Sequence, residues 1–376
     1  MNIKIIEVST QKELKQFTAF TNKLYRNEKN YIPVLENKEL ETLNPKKNAA
    51  SEYCQSKLWL AMRNNEVLGR IAGIINTKYN KKTNTNYARF GWFDFINDQD
   101  VAHALLATAE NWARENKMDV MHGPLGFTSF DASGVLVDGF EEMPTSFGHY
   151  NYSYYMDILE KEGYEKEVDW IEFRIKVPAQ IPEKIIKFSE YIKQRYQVHE
   201  IELKSKKQML DYVDDFFAIL NKSYAHLFAF NELSVKQKEQ IKKEFFGILQ
   251  TEYVCFIEDN NNQLVAFGIS TPSLAKALKK ANGRIFPFGF YHLIKALKQN
   301  DTAELLLVGV DNKYKNKGLT AIIFNKIMHT FIQKGIKNVE TTRELEENSS
   351  VQQLWSKYDF RQHKRARCYI KKLDTY

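Results

Sequence analysis

The two halves of this chain spell the same order of strands and helices. In the first half, alternating residues 3–8 read as a strand, and Leu14, Phe17, Phe20 and Leu24 give a helix over 12–26. Strands follow at 58–63 and 66–75 around the Asn64-Asn65 turn, and at 87–96. A helix over 100–116 starts near Asp98 or Asp100 and turns Ala102, Leu105, Leu106, Ala109 and Trp112 inward. A short strand at 120–122, a helix over 154–162 stopped by Gly163, and a strand at 170–177 close this half. The second half repeats the order. It has a strand at 198–203 and helices over 206–227 and 234–249, with Ser234 as cap. Strands follow at 253–259, 263–270 and 303–310, then a helix over 319–334 ended by Gly335. A strand at 339–345, a helix over 350–358 and a final strand at 360–373 complete it. A repeat this long implies tandem duplication of an α/β (α+β) mixed-sheet domain, not a solenoid. Pro178 and Pro182 remove backbone donors and mark a boundary. The expected organisation is a first domain over 1–182, a linker helix over 183–197 and a second domain over 198–376.

The 376 residues carry a formal charge of +7, with acids and bases interspersed, which suits anionic small molecules and gives no basic stripe for nucleic acid. Three widely spaced cysteines and no C-x-x-C read as a reducing, cytoplasmic setting. Nothing at the N-terminus resembles a signal peptide, and no apolar run reaches the ~18 residues of a spanning helix. Eight histidines form no H-x-H or H-x-x-x-H set, so no metal is expected.

One junction carries chemistry. The strand ending at Val310 hands over to the helix at Leu319 through a turn holding Lys313, Lys315, Lys317 and Gly318. A helix start exposes unpaired amides and partial positive charge, which makes it an anion site. Gly318 admits close approach to the backbone, the lysines add charge, and Thr320 offers a hydroxyl. The set suits a pyrophosphate, yet matches neither the Walker A nor the dinucleotide-binding pattern.

The turn resembles the pyrophosphate loop of the GCN5-related N-acetyltransferase (GNAT) superfamily, Arg/Gln-x-x-Gly-x-Gly/Ala after an apolar strand. Lys315 stands at the first position, Gly318 at the glycine and Thr320 at the small residue. Downstream, NSSVQQLWSKYDF over 348–360 is similar to the family's N-x-x-A-x-x-x-Y-x-x-x-G-F block. Asn348, Val351 and Phe360 fit, while Trp355 replaces the tyrosine and Asp359 the glycine. The first half resembles a degenerate copy, with acids and no glycine between Phe95 and Val101. HGPLGF at 122–127, GVLVDGF at 134–140, NYSYY at 151–155 and GRIFPFG at 283–289 resemble a narrower group of bacterial tandem GNAT-like proteins, some of which act as bacterial ceramide synthases.

The resemblance implies direct acyl transfer from acyl-CoA or acetyl-CoA to a neutral amine, with no metal. It implies a cofactor cradle of Val308, Gly309, Val310, Lys315, Asn316, Lys317, Gly318, Leu319, Thr320, Asn348 and Trp355. It assigns Glu304, six residues before Val310, as base. Trp355 cannot supply the acid, so either Tyr358, three residues on, substitutes, or the thiolate leaves unassisted, or the first domain supplies the acid. In the first half, Asp131, Asp138, His149, Tyr154 and Tyr155 are candidates for an acceptor pocket. The segment 274–298 has six basic residues, no acid and four aromatics, which suits an anionic membrane surface or an acyl-chain tunnel. The expected partner is therefore a small or lipid-like amine, with peripheral membrane contact through this segment. Two other readings stand beside an N-acyltransferase: a Fem-type aminoacyl transferase, and an inactive coenzyme A-binding or scaffolding protein.

Overall fold

The structure is a computed structural model and describes residues 2–348, 352, 354–355 and 358–374. The first repeat runs β1 (Lys4–Glu7), α1 (Gln11–Leu24), α2 (Glu36–Thr42), β2 (Cys54–Arg63), β3 (Glu66–Asn76), α3 (Thr77–Thr83) and β4 (Tyr87–Phe95). It continues through α4 (Gln99–Glu115), β5 (Val120–Gly123), β6 (Val135–Asp138), α5 (Tyr154–Lys161) and β7 (Glu165–Lys176). The second runs α6 (Glu183–Tyr196), β8 (Val198–Glu200), α7 (Lys206–Asp211), α8 (Val213–Tyr224), α9 (Val235–Ile241), β9 (Val254–Asp259) and β10 (Leu264–Pro272). Then come α10 (Ala275–Ala281), α11 (Gly289–Lys298), β11 (Thr302–Val310), α12 (Leu319–Gln333), β12 (Asn338–Thr341), β13 (Glu344–Leu345) and β14 (Phe360–Lys372).

These elements form two compact units that interleave along the chain. The first is Met1–Ile171, Leu274–Leu293 and His363–Tyr376; the second is Glu172–Ser273 and Ile294–Gln362. In the first unit the strand order is β1-β2-β3-β4-β5-β14, antiparallel except for the parallel pair β4/β5. In the second, the order read from the other edge is β8-β9-β10-β11-β12-β7, antiparallel except for β11/β12. The two sets of strands thus share one topology, and each takes its sixth strand from the end of the other repeat.

Glycines set the packing of helix on sheet. A Cβ on Gly69 would meet Leu105 at 2.8 Å, and one on Gly73 would meet Trp112 at 2.7 Å, so α4 lies close on β3. In the second unit a Cβ on Gly268 would meet Ile323 at 2.2 Å, which seats α12 on β10 in the same way. Beneath α8 an aromatic core of Phe216, Phe217, Phe246 and Phe267 is buried.

Two helices differ from their sequence reading. The helix over 206–227 is two helices that meet at Tyr212, whose backbone (φ −95°, ψ 5°) leaves the helical region. The helix over 234–249 begins at the Ser234 capping box but widens into a π-turn at Lys242–Phe246. The wider turn rotates Phe246 into the core, 5.2 Å from the Phe216 ring. The helix read over 350–358, and Val351 with it, falls largely outside the described residues.

Candidate active site

In the second unit the parallel pair comes apart. β11 and β12 are in register from Thr302↔Asn338 to Leu305↔Thr341. Thr342 then donates its amide to the Leu305 carbonyl (3.0 Å) and its hydroxyl to that of Leu306 (3.2 Å). β12 stops there, while β11 continues to Val310. The Asp311 amide donates to the Val265 carbonyl at 2.8 Å. By antiparallel alternation Gly309 therefore faces β10, and Val308 and Val310 turn their polar groups to the open edge.

α8 meets that edge. The Tyr224 hydroxyl donates to the Val308 carbonyl (3.2 Å) and receives the Val308 amide (3.4 Å), and the Ser223 hydroxyl donates to the Val310 carbonyl (3.0 Å). Burial pushes the Tyr224 phenol up to about 12, with the charge of Glu344 adding to the shift. Glu344 itself is a displaced carboxyl. Burial, helped by the Glu172 charge, pushes it up to about 8 against a hydrogen bond from Thr341. Its Oε2 is buried with no hydrogen-bond partner among the described residues. A carboxyl of that kind is a capable proton acceptor near neutral pH.

β11 leads into α12. Its N-cap, Gly318, has φ +83°, a conformation that favours glycine, and gives the helix no side-chain cap. Lys315 is exposed, and the Lys317 ammonium lies 5.0 Å and 5.2 Å from the ring centres of Tyr314 and Tyr196. α6 covers the turn, since a Cβ on Gly318 would meet Ile192 and Phe188 at 3.2 Å.

The corresponding place in the first unit is closed. β4 and β5 pair from Tyr87↔Val120 to Arg89↔His122, and the chain after β5 stays on β4: the Leu125 amide donates to the Phe90 carbonyl at 2.8 Å. A Cβ on Gly91 would meet the Leu125 carbonyl oxygen at 2.4 Å, so no cleft opens between these strands. The start of α4 is occupied by a carboxylate, because Asp98 accepts from the amides of Asp100 and Val101 and pairs with Arg63 at 3.1 Å. A phosphate there meets both a filled cap and like charge.

No family model matches the chain. It is 23% identical over 368 residues to Protein YghO of Escherichia coli K12, covering 96% of this chain and 93% of that one. It is 25% identical over 323 residues to the bacterial ceramide synthase of Caulobacter vibrioides, covering 84% and 82%. Among solved structures, a tandem GNAT protein from the clavulanic acid biosynthesis pathway superposes with a TM-score of 0.55 at 11% identity, covering 99% of both chains. The fold is a tandem GNAT fold.

Set on this GNAT fold, the residues singled out from sequence separate into groups. Val308, Val310 and the turn Lys315, Asn316, Lys317, Gly318, Leu319 and Thr320 line β11 and the start of α12. Glu304 lies earlier on β11, fully buried, where its carboxylate receives the Ser273 hydroxyl at 2.6 Å and its strand neighbour is Glu340. Trp355 packs against Phe324 and Phe173, and neither its Nε1 nor the buried Tyr358 hydroxyl has a hydrogen-bond partner among the described residues. Burial raises the Tyr358 phenol. The Asn348 amide donates to the Leu345 carbonyl at 2.9 Å.

The five acceptor candidates all belong to the first unit and make separate local contacts. The Tyr155 hydroxyl is 2.6 Å from that of Tyr25 and accepts the Phe95 amide, and Tyr154 donates to the Phe95 carbonyl. Asp131 caps a turn by accepting the amide (2.8 Å) and hydroxyl of Thr128, and burial raises its carboxyl. Asp138 is exposed at the end of β6, and His149 is half-buried in a loop. Sequence reasoning missed Tyr224, Ser223, Thr342 and Glu344. Only Glu344 carried a signal, an acid in a short extended stretch after a buried strand.

Another cluster sits in the first unit, where His122, Glu167 and Cys368 bring ligand-type atoms within 4.8 Å of one another. They form a hydrogen-bonded set, with Glu167 3.0 Å from His122 Nδ1 and 3.4 Å from the thiol. Burial lowers the imidazole and raises the thiol, and both feel the buried Arg89 guanidinium, paired in register with His122.

Proposed function

We propose that the second unit transfers an acyl group from an acyl-CoA or acetyl-CoA thioester to a primary amine, with no metal. One observation carries this reading. β11 has an open edge that runs into an uncapped, lysine-flanked helix start at Gly318, whereas the equivalent strand pair and helix start of the first repeat are both closed. A diphosphate suits the first arrangement and is repelled by the second. The thioester carbonyl would then accept an amide from the open edge, at Val308 or Val310. Glu344 takes the proton of the attacking amine as the C–N bond forms. The C–S bond breaks, and the departing thiolate is protonated by Tyr358, Tyr224 or water. We assign the base to Glu344 ahead of Glu304, because Glu304 is enclosed where β11 is paired on both sides.

A long-chain or lipid-like amine is favoured as acceptor, supported by the relationship to a protein named as a bacterial ceramide synthase. No nucleic acid is involved, and a cytoplasmic setting fits the three free cysteines. Among the described residues no helix is long and apolar enough to cross a membrane. A second reading, coenzyme A binding without turnover, draws on the Tyr224 hydroxyl, which already holds both polar groups of Val308.

Calorimetric titration with coenzyme A tests the assignment. Lys315→Glu is exposed and leaves packing intact, so it should weaken binding roughly tenfold or more through charge alone. Gly318→Glu should abolish binding, but it also strains a positive φ, so the lysine variant is the cleaner probe. Unchanged affinity in Lys315→Glu would remove the diphosphate from this turn. Turnover of acyl-CoAs of graded chain length with a panel of amines separates the enzyme from the inactive binder.

A further inference from the structure

The segment between β10 and β11 is held firmly at its base. The Leu274 amide donates to the Ser146 hydroxyl at 2.7 Å, Lys279 donates to the Lys29 carbonyl, and the Glu36 amide reaches the Gly283 carbonyl. Gly283 fits so closely on the 22–36 stretch that a Cβ there would meet Asn22 at 2.9 Å. Beyond this anchor the character reverses. Ile285, Phe286, Phe288, Phe290 and Tyr291 are all exposed, with Phe286 and Phe288 each 77% accessible. The Phe286 and Phe290 rings lean on each other at 5.9 Å without either becoming buried. Apolar side chains crowded this densely in water mark a surface made for a partner.

The charges around the tip say which partner. Lys276, Lys280 and Arg284 are exposed in the same segment, which holds no acid from Ser273 to Lys298, and the half-buried Glu36 sits at its Gly283 anchor. Lys295 and Lys298 continue the basic character along α11. A protein partner selects for patterned charge of both signs, whereas an anionic bilayer rewards uniformly positive charge around an apolar, aromatic wedge. Phenylalanine and tyrosine rings enter the boundary between headgroups and acyl chains, and lysine and arginine remain level with the phosphates. We propose that the tip formed by residues 284–291 inserts into the surface of an anionic lipid bilayer and docks the protein there, with Phe286 and Phe288 as the inserting side chains.

The test is flotation of the full-length chain with vesicles of phosphatidylcholine alone or mixed with phosphatidylglycerol. Lipid partition is the readout, so the outcome does not depend on catalysis. The expected result is binding to the mixed vesicles, much weaker binding to the neutral ones, and release by high salt. Phe286→Ser/Phe288→Ser and Lys280→Glu/Arg284→Glu should each lower partition by about tenfold or more. All four side chains are exposed, so circular dichroism of the variants should match the parent. No binding to mixed vesicles, or binding indifferent to both double variants, would overturn the proposal. So would a parent that sediments as a dimer, ignores vesicles and turns monomeric on Phe286→Ser/Phe288→Ser, which would assign the tip to a second copy of the chain.

Discussion

Glu344→Gln is the most informative single change, because one substitution tests stability and chemistry separately. The carboxyl ordinarily titrates near 4.5 and here near 8. The folded protein therefore keeps a proton that the unfolded chain has already released. Stability from this group is fully present below 4.5 and is lost as pH rises through about 8. The ceiling on that loss is on the order of 5 kcal/mol, and relaxation around a partly accessible carboxyl brings it to about 2–4 kcal/mol. Glutamine never ionises and escapes the loss. The variant should match the parent near pH 5 and melt about 3–5 °C higher near pH 9. Scanning calorimetry across that interval reads it directly. In the same interval the parent's turnover should climb to a plateau above about 8, since only around one carboxyl in ten is ionised at pH 7. The variant should lose about 10²–10⁴ in kcat along with that rise. A constant difference in melting temperature between pH 5 and 9 would mean that Glu344 ionises as an ordinary surface acid, and the base assignment would fall with it.

Three further outcomes follow from the same geometry. Tyr224→Phe strips the hydroxyl from Val308 and leaves its amide and carbonyl unpaired, costing about 1–2 kcal/mol. A thioester ligand that pairs with Val308 restores this, so acyl-CoA should raise the variant's melting temperature more than the parent's; equal shifts would place the ligand elsewhere. Asp98→Ala removes the cap of α4 and should cost about 1 kcal/mol in denaturant melts without changing coenzyme A affinity, because β4 and β5 stay paired. Asp94→Asn leaves the buried Arg70 with Glu39 as its remaining ion-pair partner and should cost roughly 3 kcal/mol by urea denaturation.

What could be read from sequence divides along the range of the interactions involved. The long helices α1, α4 and α12, the hairpin turns and the Ser234 cap are local consequences of spacing and capping, and they appear where the pattern put them. The lysine–glycine turn was legible for the same reason, since a strand end, a positive-φ glycine and a helix start are neighbours in the chain. Tyr224 and Glu344 were not. Each becomes meaningful only when α8 and the stretch after β12 reach the open edge of β11, 84 residues from Tyr224 to Val308. No local pattern distinguishes that tyrosine from its core neighbours Phe216 and Phe217.

Membership of the two units is the least legible feature, yet it does not explain why one cleft is open and the other shut. In both units a parallel pair of strands sits beside a strand from the end of the other repeat. The same exchange occurs in both units, so it does not by itself decide which pair separates. The decision lies in the few residues after the pair. After β5 the chain is PLGF, and Leu125 carries on the ladder to Phe90, with Gly91 letting the two backbones touch. After β12 the chain is TRELEE, and Thr342 spends its amide and hydroxyl on Leu305 and Leu306 before the chain leaves β11. An alanine at Gly91 would push Leu125 off β4 and destabilise the first unit without creating a site, because Asp98 still blocks the helix start. Opening a cleft in this fold therefore takes two independent changes, one at the strand exit and one at the helix cap, and only the second repeat carries both.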